Sequence, residues 1–196
     1  MTGTYDWNPM PHRLDVRCTS CRALAGFEFA EAVRIKRKTD IPFFEASPQL
    51  DYEFFPVRGY DAAWHGALFY AGLHGGLGAL TELPEGYAAS DWAHSRYLMR
   101  SQPLGAGALL CAACGRRAKH RLRWPDDAWF QLAHRGQVLW AFHRESAVAL
   151  RDFIASSERK IARHKWSSML LHVPGHFLTA KARKDVLKRL ERLLEG

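Results

Sequence analysis

The chain has little cysteine, four residues in 196, and none of the four is left over once they are taken as two C-x2-C pairs. That is too few for a disulfide-dense scaffold, and nine prolines with 15 glycines are too few for a collagenous or low-complexity chain. No apolar run approaches the ~20 residues of a membrane-spanning helix. Residues 1–17 contain Asp6, Asn8, Pro9, Pro11 and Asp15 where a signal peptide needs an unbroken apolar stretch, so a cytoplasmic protein with no membrane partner is expected. Aromatic residues are plentiful: 11 Phe, seven Trp and six Tyr can fill a sizeable core.

Acid is scarce in one half only. Residues 1–110 carry 10 basic and 12 acidic side chains, whereas residues 111–196 carry 18 basic and 8 acidic ones. A basic half beside a faintly acidic one suits a polyanionic partner, although a merely solvated surface has the same composition.

Familiar catalytic signatures are also missing. There is no H-E-x-x-H, no G-x-S-x-G, no P-loop and no dinucleotide fingerprint. His143, Arg144 and Glu145 spell the H-x-E of zinc deaminases, but no P-C-x-x-C follows them. His65, His74 and His94 sit in an aromatic-rich stretch and are the residues on which a hydrolase would have to be built. Single histidines beside tryptophan are more often core or interface groups.

The positive motif is the cysteine spacing. Cys18 pairs with Cys21 and Cys111 with Cys114. A two-residue spacer lets both thiolates of a tight turn point at one ion, and two such turns complete a tetrahedral shell for Zn²⁺, with iron the chemical competitor. Gly115 directly after Cys114 suits such a turn; Arg22 after Cys21 fits it less well. Arg17, Arg22, Arg116 and Arg117 flank the pairs and could offset the charge of four thiolates. A redox C-x-x-C is the alternative, but it needs a βα context.

The two pairs resemble the zinc-ribbon class, in which two hairpin knuckles clasp one structural metal. The resemblance covers the knuckles and their flanking strands, and the 89 residues between Cys21 and Cys111 form a long insertion. It implies that a zinc staples two sequence-distant strands beneath an elaborated sheet.

Alternation predicts a strand over residues 24–35 with a bulge at Glu31 and Ala32, and further strands over 52–57, 67–73 and 104–110. A short helix is expected from Ser90. Residues 129–132 and 138–142 read as a β-hairpin turning at Gly136, 145–156 as a helix, and 179–194 as a helix capped by Thr179. The expected architecture is α+β: an antiparallel sheet incorporating a zinc ribbon with a long insertion, then a β-hairpin and C-terminal helices. Residues 1–17 read as an irregular arm, 18–156 as a zinc-stapled domain and 157–196 as a basic helical segment.

Three basic clusters follow the second cysteine pair. They supply the candidate nucleic-acid contacts: Arg116, Arg117, Lys119, Arg121 and Arg123; Lys160 and Arg163; and Lys181, Lys184, Lys188 and Arg192, spaced 3, 4 and 4 residues apart. Phe43, Phe44, Phe54, Phe55, Trp129, Phe130, Trp140 and Phe142 are candidate base-stacking rings, about two thirds of which should be core. The rival to nucleic acid is a protein partner docked on an adaptor surface. Oligomeric state has no signature in the sequence.

Overall fold

A computed structural model describes residues 10–56, 62–93, 105–159 and 165–196. The elements in chain order are β1 (Arg13–Arg17), β2 (Leu24–Phe29), β3 (Glu31–Arg34), α1 (Ile41–Ala46), β4 (Leu50–Phe55), β5 (Trp64–Phe69), α2 (Ala71–His74), α3 (Ser90–Ala93), β6 (Ala106–Leu110), β7 (Arg117–Arg121), β8 (Gln131–His134), β9 (Gln137–Trp140), α4 (Arg144–Ala155), α5 (Ser167–Leu171) and α6 (Ala180–Glu195), with short 3₁₀ turns between some of them. Helices and antiparallel sheets are both present, which makes the protein α+β. The sheets run β1-β2-β6-β7, β3-β5-β4 and β8-β9. Among the described residues no helix is long and apolar enough to cross a membrane.

The chain forms two compact units. One comprises residues 14–25 and 123–196, the other residues 10–13 and 26–122, each as far as it is described. The boundary therefore falls inside the stretch read as one zinc-stapled domain.

In the 26–122 unit, Phe29 ends β2 and after Ala30 the chain enters a different sheet as β3. The predicted bulge is thus a change of sheet. Alternation persists across it because Phe27, Phe29 and Val33 are all buried, in different layers. β5 is the central strand of its sheet, flanked by β3 and β4. Ala67, Leu68 and Phe69 are inaccessible, as its two-faced apolar sequence demands. Val33, Leu50, Ala67 and Phe69 meet Phe44 of α1 and Trp92 of α3 in one cluster. The Trp92 indole N–H donates to the Ala67 carbonyl at 3.0 Å. Helix α1 has no amphipathic repeat to announce it; Pro42 at its start is its one sequence signal.

The other unit is built on the hairpin β8–β9. Its two-residue turn, Arg135 and Gly136, has φ of 51° and 77°, the left-handed pair that matches strand twist. Phe130, Leu132, Trp140 and Phe142 are buried. Helix α6 packs on α4 and on β8, placing Val186, Leu190 and Leu194 inside. Thr179 caps it, its Oγ1 accepting the Ala182 N–H at 3.3 Å.

Residues 13–17 are not part of an irregular arm. Leu14 and Val16 are buried, and β1 exchanges backbone bonds along its outer edge, Asp15 N–H to Phe142 O at 2.8 Å and Trp129 N–H to Asp15 O at 3.0 Å. Five residues of alternation outweigh the polar, proline-containing flank.

Candidate functional site

Each cysteine pair closes an antiparallel hairpin, β1 into β2 and β6 into β7. The two turns use the same bonds. The Cys18 N–H donates to the Ala23 carbonyl at 2.8 Å, and the Cys111 N–H to the Arg116 carbonyl at 2.9 Å, five residues on in both cases. In the first turn the Arg22 N–H returns to the Cys18 carbonyl at 3.0 Å, and the Ser20 N–H is aimed at the Cys18 sulfur at 3.4 Å.

The residue after each second cysteine is left-handed: Gly115 with φ 70°, Arg22 with φ 64°. The doubt that the sequence raises about Arg22 is therefore resolved by strain, the arginine adopting the glycine conformation at a cost of about 1 kcal/mol.

The four sulfurs lie within 4.8 Å of one another. A tetrahedron of thiolates about 2.3 Å from a metal has edges of about 3.8 Å, so this set fits a single ion. Cys18 and Cys111 are buried, Cys21 and Cys114 exposed. All four are thiols, with no disulfide among them. Four protein ligands leave no open coordination position, so an ion held here would be structural. Among the described residues no other group of three or more His, Cys, Asp or Glu side chains is arranged to hold a metal. Two of the flanking arginines point elsewhere: Arg17 donates to Ala128 O at 3.4 Å and lies over the Trp129 ring, and Arg117 donates to Gly72 O at 2.7 Å.

The basic candidates separate into two sets. On β7, Lys119 pairs with Asp51 and Arg121 with Glu53, both at 2.6 Å, so alternating bases on one strand meet alternating acids on β4. Arg123 lies 3.6 Å from Asp127. On α6, by contrast, Lys181, Lys184, Lys188 and Arg192 are all exposed along one face and form no ion pair among the described residues. Arg116 is exposed as well. Lys160 and Arg163 lie outside the described residues.

The histidines are accounted for separately. His65 Nδ1 and the Tyr52 hydroxyl are 2.7 Å apart, and His74 stacks on Phe69 with centroids 5.6 Å apart. His94 lies outside the described residues. Of the candidate stacking rings, Phe44, Phe55, Phe130, Trp140 and Phe142 are buried, Trp129 is half-buried, and Phe43 and Phe54 are exposed at 38% and 47%.

Sequence reasoning missed β7 as a strand. Its signal was the parity of Arg117, Lys119 and Arg121 against Asp51 and Glu53, a charge alternation instead of an apolar one. No protein-family model matches this chain, and comparison with curated proteins and with solved structures gives no match to either.

Proposed function

We propose that the protein is a zinc-stabilised nucleic-acid-binding module that grips phosphates through the outer face of α6. Zinc fits the four-thiolate set, and its role is to hold the two knuckles; it takes no part in chemistry. The observation that carries the nucleic-acid reading is the free cationic stripe of α6. Lys181 to Arg192 spans about 16 Å at 1.5 Å per residue, roughly the axial length of five base pairs. The charge distribution supports it: the unit holding α6 has 16 basic and 9 acidic side chains, +7 of the net +8, while the other has 12 and 11. Lys119 and Arg121, engaged with Asp51 and Glu53, are set aside as phosphate contacts.

Phosphate binding releases counterions, so log affinity falls linearly with log salt, with slope about −0.9 per phosphate neutralised on duplex DNA. The test is the double variant Lys184→Glu and Lys188→Glu, titrated with mixed-sequence DNA and RNA at several salt concentrations. The expected result is weaker binding to every sequence and a slope flattened by roughly 2, because point charges on phosphates carry no base information. Absence of binding by the unaltered protein at micromolar concentration in low salt would overturn the reading and leave the stripe as a protein-docking face.

A further inference from the structure

Arg159 follows α4, and Arg183 lies in the first turn of α6. Their guanidinium groups converge on one acceptor: Nη2 of Arg159 donates to the Leu178 carbonyl at 2.9 Å and Nη2 of Arg183 to the same oxygen at 3.5 Å. Two cations sharing a single neutral oxygen repel each other with little compensation. Acids on the neighbouring helices are engaged by other bases: Asp152 by Arg151 at 2.7 Å, Glu145 by Lys165 at 2.8 Å and Asp185 by Arg189 at 3.7 Å. Neither Arg159 nor Arg183 forms an ion pair among the described residues. Nε of each is buried and has no acceptor. The pair therefore shares one neutral acceptor, leaves both Nε atoms without one and forms no ion pair among the described residues, while Asp152 and Glu158 line a cavity with Arg159.

The start of α6 deepens the deficit. Its first turn contains no acidic residue; Lys181 and Arg183 sit there instead, at the end of a helix where acids are stabilising and bases are not. Arg159 is held in place by its own backbone, its N–H donating to Ser156 Oγ at 3.2 Å with φ at 44°. A helix start that carries Lys181 and Arg183 where acids are favoured, with the Nε atoms of Arg159 and Arg183 short of acceptors, is the pattern of a site that an anion would complete.

We propose that Arg159 and Arg183 clamp one phosphate group, using the planar forks that match phosphate oxygens in pairs. The clamp rests on the nucleic-acid reading for the source of that group; Arg183 lies on the inner side of α6, so the phosphate it would hold is separate from those along Lys184, Lys188 and Arg192. Free phosphate offers the same chemistry from another source.

The test compares the unaltered protein with the double variant R159Q/R183Q. Probes are a short mixed-sequence oligonucleotide, single-stranded and duplex, and inorganic phosphate followed by the shift in melting temperature. The expected result is oligonucleotide affinity lower by at least about tenfold, with a salt slope flatter by about 1 for one lost phosphate contact. Unchanged affinity in R159Q/R183Q, where K184E/K188E does weaken binding, overturns the clamp and spares the nucleic-acid reading. If no oligonucleotide binds but phosphate raises the melting temperature of the unaltered protein and not of the variant, the clamp stands for free phosphate and the nucleic-acid reading falls. If neither probe binds, both are overturned. Should the glutamine variant fail to fold, R159K/R183K keeps the charges but loses the forks: a loss of threefold or more supports the clamp, and an unchanged affinity overturns it.

Discussion

Arg22 and Gly115 hold the same place in the two cysteine turns, each directly after a second cysteine and each left-handed, with φ of 64° and 70°. An L side chain costs about 1 to 2 kcal/mol in that region, and glycine avoids the cost. Gly115→Ala is expected to destabilise the metal-loaded protein by about 1 kcal/mol, while Arg22→Gly is neutral or stabilising by up to about 1 kcal/mol. Denaturant midpoints for the two variants check this; equal and opposite signs reversed from these would show that the turns are not equivalent.

The protein is expected to bind one equivalent of zinc through Cys18, Cys21, Cys111 and Cys114, which lie together as a set. Cys111→Ser should lose the ion and broaden or abolish cooperative unfolding, since structural zinc contributes on the order of 10 kcal/mol in favourable cases. Elemental analysis of reduced, folded protein measures it. An iron-containing product would redirect the metal assignment, and a metal-free one would end it.

Trp140 is 1% exposed and lies edge-on to Trp124, with ring centroids 5.3 Å apart, and near Phe142 at 5.1 Å. Its truncation to alanine should cost roughly 3 to 5 kcal/mol. A loss below about 1 kcal/mol would place the indole outside the core.

Helix α4 has an unusual cap. The His143 side chain accepts the Ser146 N–H at 3.5 Å while Ser146 Oγ accepts the His143 N–H at 3.0 Å. Burial holds the His143 imidazole below its ordinary pKa, with Asp15 and Glu145 pulling the other way. Only the neutral ring can accept, so this stability is complete above the ordinary histidine pKa and is lost as pH falls through the depressed one. His143→Asn keeps an acceptor at the cap and should flatten that acid-side loss, while His143→Ala should cost about 1 kcal/mol at neutral pH. Melting temperatures from pH 8 to pH 5 separate the three proteins.

How much of this was legible depended on the kind of signal. Apolar periodicity announced β5, the β8–β9 hairpin and α6, because Ala67 to Phe69, Trp140 and Val186 are inside for the reason that their spacing suggests. The cysteine spacing announced the knuckles. β7 was hidden because its signal is an alternation of charge instead of apolar residues, and the acids that answer it on β4 lie 68 residues away in sequence, as Asp51 does from Lys119. The same blindness inflated the basic surface, since a lysine on a strand looks identical whether solvated or paired. Conversely, the change of sheet at Ala30 was invisible because both sheets demand burial on the same parity.

The 89 residues between Cys21 and Cys111 also set an order of events during synthesis. A chain lengthening at about 5 to 20 residues per second presents its first thiol pair roughly 5 to 20 seconds before the second. For that interval a half-site waits while three strands of the intervening sheet emerge and pair among themselves. The insertion thus has time to fold before the four thiols can meet, so a metal held by them would be captured late and would lock a sheet already formed.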